Sequence, residues 1–502
     1  MIFTKIYEKN FLFYQTLEFN IRRFFKKVFL AKKDKNFRIV MLIKEIQLTK
    51  KYKRVVQIEM NEISSSVIDS LIAKGKLPNF GKLQREWTFL KTTSETDYNK
   101  LEPWIQWVTA HTGKTYEEHQ IFHLSDVHQL KHKQIWESLS EQNIESGIIG
   151  SMNVLRRNTE GGIFFSDPWA IQNETYPASL RPLWEIISRR VQGHATSSVT
   201  FNDMVKGLRS CLQFRLPVKL YAQMAYQIVS QKLNPKNKWK LATVFDWFLV
   251  HIFKSVLKST NFGYYTLFLN ATAHYQHHYW RSFDGKDFDP SIKYPDINDD
   301  DDPMTYGYTA YDKILGEIFS ITERDPDTLV VILSALSQIP YTAKEAEGGM
   351  NYYRLNDHKA FAQSIGLGDA YEIFPMMSRD WQIKYSDDID RQKAINILRH
   401  LTINGEELFQ IKENTEGFIF VETKYTKGIK NTDNIIDRHG NSIACFMDVF
   451  TNTAIKSGHH TGLGNLWLSD KQIDLPQGTK VPLTFLYDFT KNALGVKKLQ
   501  PQ

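Results

Sequence analysis

Short apolar runs recur along this chain, and each lies next to a segment whose apolar residues have helical spacing. The first run, residues 54–60, precedes a segment from Ile63 to Lys74 with the period of a helix. The clearest run, residues 328–333, is typical of a strand buried on both faces of a parallel sheet. Further strands are predicted at 146–150 and 264–270, and further helices at 134–142 and 311–321. This alternation predicts an α/β fold with a mostly parallel central sheet and helices on both faces.

Charge divides the chain into two parts. Residues 1–54 hold 15 Lys and Arg against 4 acids, a net +11, whereas all 502 residues together carry +7. We therefore predict a basic, aromatic-rich extension over residues 1–50. Residues 51–500 are predicted to form a mildly acidic α/β domain, and a composition that is 42% hydrophobic is sufficient for a large core. Less regular stretches predict helical insertions near residues 171–260 and 345–430.

The extension raises the question of membrane contact. The sequence has no run of about 18 uncharged apolar residues, so no spanning helix is predicted, and cations interrupt the aromatic segment where a signal peptide would be apolar. Residues 1–40 are predicted either to lie on an anionic membrane surface as a basic helix or to pack on the protein body. Only Cys211 and Cys445 occur, which favours a reducing, cytoplasmic location. Basic residues concentrated in the extension predict no nucleic-acid partner.

Polar residues follow several predicted strands, at the sheet edge where open α/β folds bind ligands. Glu59, Asn61 and Glu62 end the first strand, and Asn270 and His274 follow the strand at 264–270. Two further polar segments are residues 101–113 and 458–464. Five histidines in two short segments are suited to a borderline metal ion: His274, His277, His278, His459 and His460. The alternative is that these histidines are ordinary polar residues of loops.

The order of these segments resembles that of the alkaline phosphatase superfamily, in particular its phosphodiesterase, nucleotide pyrophosphatase and cofactor-independent phosphoglycerate mutase branches. The matching segments are residues 55–62, Gly75-Lys76-Leu77-Pro78-Asn79, residues 107–121, Asn270 with His274, Gly458 to Leu466, and residues 481–489. No single motif is specific, but their joint order extends over roughly residues 54–490. The resemblance implies an alkaline-phosphatase-like core and metal-assisted chemistry on an anionic ester.

The chain departs from the family pattern where that family binds metal. Asn61 stands in place of an aspartate, and Glu102, just before Pro103, stands in place of a Thr or Ser nucleophile. Ala335 and Leu336 replace a carboxylate and an imidazole, and neither side chain is able to ligate a metal. The resemblance therefore implies that one of the two usual metal sites is lost.

The retained site has two imidazoles, His274 and His460. The resemblance implies at most one divalent ion there, zinc or manganese. Glu102 and Asn61 are the predicted catalytic residues, with Glu102 as general base in place of the missing nucleophile. Gln106 and Asn270 are predicted to bind the substrate. If the ligands are misassigned, the alternatives are Glu59, Glu62, His277 and His278.

Two classes of function remain open. The first is a metal-assisted hydrolase or transferase that acts on a phosphoester, or a similar ester such as a sulfate, of a small molecule or glycan. The second is a binding or structural protein that kept the fold and lost hydrolysis. A third possibility is group transfer in surface-polymer assembly on the same scaffold. Metal content and turnover of generic esters separate the first class from the second.

Overall fold

The computed structural model describes residues 51–496, except residues 158, 171–173, 192–200, 295, 369–370, 376–378, 414–416, 471–472 and 474. The predicted extension, residues 1–50, lies outside the described residues. In the described part of the chain, no helix is long and apolar enough to cross a membrane.

The strands of the described residues are numbered in chain order. They are β1 (Arg54–Met60), β2 (Thr88–Thr93), β3 (Ser146–Ile149), β4 (Ile163–Phe165), β5 (Tyr264–Leu269), β6 (Thr328–Ser334), β7 (Ser337–Pro340), β8 (Met350–Leu355), β9 (Tyr371–Pro375), β10 (Trp381–Tyr385), β11 (Thr402–Ile403), β12 (Glu406–Glu407), β13 (Phe409–Glu413), β14 (Phe418–Thr423), β15 (Asn434–Ile436), β16 (Ser442–Cys445), β17 (Phe450–Lys456), β18 (Gly458–Thr461), β19 (Asn465–Leu468) and β20 (Thr479–Pro482).

The α-helices of the same residues are numbered in the same way. They are α1 (Ser65–Ala73), α2 (Pro78–Glu86), α3 (Pro103–Thr112), α4 (Tyr116–His119), α5 (Ile135–Ser140), α6 (Arg181–Val191), α7 (Phe201–Leu212), α8 (Val218–Leu233), α9 (Leu241–Ser259), α10 (Ala271–Phe283), α11 (Pro303–Thr322), α12 (His358–Ser364), α13 (Asp388–Arg399), α14 (Phe446–Val449) and α15 (Phe485–Ala493).

The apolar runs form the middle of an eight-stranded sheet with the order β20-β2-β19-β6-β1-β5-β3-β4. β1 pairs in parallel with β5 on one side and with β6 on the other. β19 is the antiparallel member, between β6 and β2. All seven residues of β6 are buried, as expected for an interior strand covered on both faces. The predicted α/β class with a mostly parallel central sheet is confirmed.

Helices cover both faces of this sheet because successive residues of its strands point to opposite sides. Val56 and Ile58 of β1 belong to one apolar cluster, which includes side chains of α1, α2, α9, α10 and α11. Val55 belongs to a second cluster, with side chains of α3, α5 and α15. The second face also carries Gln57 and Glu59, both buried and polar. Gln57 donates a hydrogen bond to Glu59, and Glu59 also contacts His111 and Ser151.

One helix begins earlier than the sequence pattern predicts. The helix predicted at 311–321 is the last part of α11, which starts at Pro303. Asp302 caps it, since its carboxylate accepts a hydrogen bond from the Thr305 amide at 2.9 Å. Pro303 occupies the first helical position, where a missing N–H costs nothing. The aspartates of residues 299–302 therefore lead into a helix cap.

The predicted insertion regions have their own secondary structure. The helices α6 to α9 occupy most of residues 171–260. The second insertion is mainly β-structure and not helical as predicted: residues 353–450 contain an apolar cluster of their own and two four-stranded antiparallel sheets, β13-β14-β10-β9 and β12-β11-β15-β16. The chain enters and leaves this region through β8 and β17, which pair antiparallel. The exit strand leads directly into β18 and therefore into His460.

Candidate metal centre

The site is built where β1 and β5 end side by side. Asn61 follows β1 and donates from Nδ2 to Asn270 Oδ1, beyond the end of β5, at 2.8 Å. The same nitrogen donates to Glu62 Oε1 at 2.8 Å, and Asn61 Oδ1 accepts from Trp107 Nε1 at 2.9 Å. A hydrogen bond joins the two carboxamides, whereas two carboxylates this close would repel each other without a cation between them. The predicted catalytic residue Asn61 thus lies in the site, and its amide orients Glu62.

Glu62 is the buried carboxylate at the centre of the site. Its φ of 57° is in the left-handed region, which is uncommon for a glutamate and is found at functional sites where the surroundings hold it. The Glu62 Oε2 atom lies 2.9 Å from His277 Nε2 and 3.1 Å from His460 Nε2. Gln338 also donates to Oε2 from its side-chain amide. Two imidazole nitrogens and an amide therefore point at one carboxylate oxygen.

The two histidines come from different elements. His277 lies on α10, just before a kink at Tyr279, and His460 lies on β18, opposite Gln338 of β7. Their Nε2 atoms are 3.3 Å apart. Among the described residues, Glu62, His277 and His460 form the one group of three or more His, Cys, Asp or Glu side chains whose ligand atoms all lie within 4.8 Å of one another. We call these three residues the histidine cluster.

The spacing of the histidine cluster fits a metal ion. Donor atoms bound tetrahedrally to one zinc at 2.0–2.1 Å lie roughly 3.3 Å apart, and the separations of the three donors are 2.9, 3.1 and 3.3 Å. One carboxylate with two imidazoles is a donor set used by zinc, and it leaves a fourth position open. The donor chemistry and the spacing therefore both fit one divalent ion.

The electrostatics of the cluster shift the pKa values of its two imidazoles in opposite directions. Burial raises the pKa of Glu62, but the charges of His460 and His277 outweigh it and hold the pKa well below its usual range. Burial lowers the pKa of His460, yet Glu62 and Glu102 outweigh burial and the net shift is upward. For His277, burial dominates and the pKa is lowered. Burial thus favours the neutral form of His277, which is the form that a metal ligand needs.

Glu102 lies on the far side of the His460 ring from Glu62. Its Oε2 is 3.8 Å from His460 Nδ1, within ion-pair range and longer than a hydrogen bond, and its side chain is 33% exposed. Burial raises the pKa of Glu102, and His460 opposes this shift. The carboxylate stands just before Pro103, the first residue of α3. The His460 ring therefore lies between Glu102 and Glu62.

Asn270, Gln106 and His274 contact neighbours other than the cluster donors. Asn270 precedes α10 and accepts from Asn61. Gln106 is fully buried on α3 and donates from Nε2 to the Lys100 carbonyl at 2.7 Å. The His274 ring packs against that of His278, with centroids 4.8 Å apart, and burial lowers the pKa of His274 to about 4.

The structure thus brings Asn61, Asn270, Glu102 and His460 into one chain of contacts, with Glu62 as the link. His274, the other histidine assigned to the metal from the sequence, is outside the histidine cluster, and His277 is inside it. A helical turn carries both, and only the rotation of α10 decides between them. The assignment of the metal to His274 remains a prediction, but the geometry favours His277.

Ala335 and Leu336 lie in the apolar core. Both side chains are fully buried in the apolar cluster that contains α3, α5 and α15. Ser334 donates to the Leu336 carbonyl within the same turn. The side chains of Ala335 and Leu336 therefore supply no metal ligand.

Comparisons with known proteins give no family assignment. No protein-family model and no curated protein matches the sequence. Among solved structures, phosphonoacetate hydrolase from Sinorhizobium meliloti has 9% identity and a TM-score of 0.42, covering 88% of this chain and 96% of that one. Murine ectonucleotide pyrophosphatase/phosphodiesterase 5, in complex with AMP, has 10% identity and a TM-score of 0.42, covering 89% and 96%. Similarities this low assign no activity to this chain.

Proposed function

We propose that this chain binds one divalent metal ion, zinc or manganese, through Glu62, His277 and His460, and hydrolyses or transfers a phosphoester or similar anionic ester. The observation that supports this most directly is the convergence of three ligand atoms within 3.3 Å of one another. An ion in such a site acts as a Lewis acid and lowers the pKa of a bound water. The substrate class we propose is an anionic ester of a small molecule or of a glycan.

The neighbours of the cluster hold its ligands in position. Asn61 and Gln338 donate to the two oxygens of Glu62 and fix the plane of that carboxylate. Glu102 faces Nδ1 of His460, and a carboxylate there keeps the proton on Nδ1 and leaves Nε2 free to bind. We therefore assign Asn61, Gln338 and Glu102 as positioning residues of the metal centre.

Two half-buried cations support an anionic substrate. Lys456 lies at the end of β17, four residues before His460, with its ammonium 4.8 Å from the centre of the Tyr341 ring. The Arg379 guanidinium lies 5.1 Å from the centre of the Tyr352 ring, and its Nη1 is buried without a hydrogen-bond partner. Neither cation forms an ion pair with a described residue. Burial lowers the pKa of Lys456 and Glu102 opposes this shift, and Arg379 and Glu102 act in opposite directions on the pKa of Tyr352. Half-buried cations without an ion-pair partner are suited to bind phosphate oxygens.

The nature of the residue before Pro103 affects the mechanism. A glutamate there has no hydroxyl to form a covalent phosphoenzyme of the family's kind. We therefore propose direct attack of water on the ester. The phosphate oxygens would then lie towards Lys456 and Arg379, and the ester bond would lie between these two cations and the histidine cluster.

The test combines metal content with turnover. The purified full chain is expected to hold one zinc or manganese per molecule and to hydrolyse p-nitrophenyl phosphate, bis(p-nitrophenyl) phosphate or p-nitrophenyl sulfate. His277→Ala and His460→Ala are expected to lose both metal and turnover. The matched control is His274→Ala, on the same helix and outside the cluster, which is expected to keep both. Metal lost in His274→Ala and retained in His277→Ala would contradict the ligand assignment.

A second candidate function is binding without hydrolysis. It is favoured by the two carboxamides, Asn61 and Asn270, that hydrogen-bond to each other where a second metal position would need carboxylates. A chain that binds one metal ion and inorganic phosphate, but turns over none of the three esters, would support this candidate. Loss of phosphate binding in Lys456→Met would show that the same pocket is used.

A further inference from the structure

A large share of the exposed apolar side chains of the described chain lies on α8 and the segments that flank it. Seven of the twelve large apolar side chains that are exposed fall between residues 212 and 241. They are Leu212 at 71%, Val218 at 82%, Tyr226 at 73%, Ile228 at 47%, Val229 at 55%, Leu233 at 82% and Leu241 at 41%. Single exposed apolar residues are ordinary, but a concentration of them indicates an interaction surface.

Four of these side chains form one stripe along α8. Val218, Tyr226, Val229 and Leu233 are spaced so that they lie on one side of a helix, and α8 is 16 residues, or roughly 24 Å, long. The opposite side, with Leu220 and Gln227, is buried against the protein. The helix therefore contacts the protein on one side and presents a continuous apolar stripe on the other.

The chain segment that carries the stripe has charges of a single sign. Between Asp203 and Asp246 the chain has eight Lys and Arg and no Asp or Glu. They are Lys206, Arg209, Arg215, Lys219, Lys232, Lys236, Lys238 and Lys240; all but Lys240 are exposed, and none forms an ion pair with a described residue. Lys219 and Lys232 lie on α8 itself, one on each side of the stripe at 100° per residue. The stripe is thus bordered by exposed cations, of which Lys236 and Lys238 have Asp296 as an acidic neighbour.

We propose that this surface docks on an anionic lipid bilayer, with the stripe at the headgroup level and the cations against lipid phosphates. An apolar stripe bordered by Lys and Arg is the pattern of helices that lie in a membrane interface. A second copy of the chain would bring the same positive charge to the contact, and like charges disfavour that pairing. The proposal concerns described residues only, and it is independent of the metal centre and of residues 1–50.

The test measures flotation of the full chain with vesicles. Phosphatidylcholine vesicles containing phosphatidylglycerol are compared with vesicles of phosphatidylcholine alone, at low and at physiological salt. Wild type is expected to bind the anionic vesicles, and less so as salt rises. The variant Lys232→Gln, Lys236→Gln, Lys238→Gln is expected to bind at least about tenfold more weakly. The variant Tyr226→Ser, Val229→Ser, Leu233→Ser is expected to lose a similar factor, since each lost apolar group weakens insertion.

Matched controls separate this surface from net charge and from the N-terminal segment. The variant Lys76→Gln, Lys258→Gln, Lys480→Gln removes the same charge from exposed lysines elsewhere, and Ile389→Ser removes an apolar side chain that is 66% exposed on α13. Both are expected to bind as wild type does. Equal binding by the α8 variants and the controls would overturn the proposal and assign the binding to another segment. A dimer in the ultracentrifuge that the stripe variant dissociates, with no vesicle binding, would overturn it in favour of a second copy.

Discussion

Glu59 and Glu62, three residues apart at the end of β1, each contact histidine, but the two clusters they form differ in exposure to solvent. Glu59 forms a sealed cluster with His111, Ser151 and Gln57, in which Oε1 lies 2.8 Å from His111 Nε2 and Oε2 accepts from Ser151 Oγ at 2.8 Å. Both Glu59 and His111 are completely buried. Glu62 instead faces two imidazoles, of which His277 is 25% and His460 11% exposed.

The difference between the clusters lies in how the donors are arranged. In the sealed cluster, Gln57 and Ser151 supply neutral donors to the two oxygens of Glu59, and a single histidine completes the set. The His111 ring packs against the rings of Trp107 and Trp136, with centroids 5.8 and 5.0 Å apart. In the histidine cluster, two Nε2 atoms point at the same oxygen and at each other. The same residue types thus serve stability in one case and are suited to metal binding in the other.

The largest expected effect is on stability and concerns the sealed cluster. His111→Ala leaves the Glu59 carboxylate buried without its imidazole, and breaking a buried pair in this way costs about 3–5 kcal/mol of the free energy of unfolding. The control is His277→Ala, which is expected to cost less than about 1 kcal/mol because the site is partly exposed. Urea unfolding in the presence of EDTA measures both. Equal losses of unfolding free energy in the two variants would show that both clusters contribute equally to stability, contrary to this prediction.

The second prediction concerns metal affinity and reverses the order of the two clusters. Glu62→Gln removes the only anionic ligand of the histidine cluster, and it is expected to weaken zinc binding by more than about 100-fold, beyond what loss of an outer-shell partner costs. Glu59→Gln keeps the shape of the sealed cluster and is expected to leave zinc affinity unchanged. Competition with a chromophoric chelator measures both variants. A loss of zinc in Glu59→Gln alone would mean that the wrong carboxylate has been assigned.

Local patterns in the sequence account for much of the fold and for part of the site. The apolar runs predict β1 and β6 because burial on both faces leaves a signal in consecutive residues. Asn61 and Glu62 follow β1 directly, so the predicted end of this strand places them at the edge of the sheet where ligands bind. The choice between His274 and His277 depends on the rotation of α10, which packing against other elements fixes, and on the kink at Tyr279. Neither leaves a periodic signal in the sequence.

A third buried carboxylate, Asp246, contacts the start of α10, the helix that carries His277. Asp246 accepts hydrogen bonds from the Ala271 amide at 2.8 Å and the Tyr311 hydroxyl at 2.7 Å, at the start of α10. Burial raises its pKa from 3.8 to about 6. The folded state therefore binds a proton that the unfolded state has already lost, so the stability this proton contributes is complete below pH 3.8 and is lost as pH rises through about 6.

The variant Asp246→Asn keeps the shape and removes the titration. Wild type is expected to lose about 2 kcal/mol relative to this variant between pH 4 and pH 6, as the linkage between pKa and stability requires. Urea unfolding across this range in EDTA gives the difference. Asp448→Asn, at an exposed position, is the control and is expected to show no such slope. A difference between wild type and Asp246→Asn that does not change with pH would contradict the raised pKa.

The smallest expected effect decides the role of Glu102. As a positioning residue behind His460, it acts through a contact of 3.8 Å, too long for a hydrogen bond, so Glu102→Gln is expected to weaken zinc binding only about tenfold, the lower end of the range for outer-shell partners. Turnover at saturating zinc is then expected to stay close to that of wild type. A general base at this position would give the opposite pattern, since its loss costs about 100-fold or more in turnover with zinc affinity unchanged. Measuring zinc affinity and kcat on the same variant separates the two roles, and Glu95→Gln, on a neighbouring loop and hydrogen-bonded to the Tyr116 amide, is the control expected to change neither.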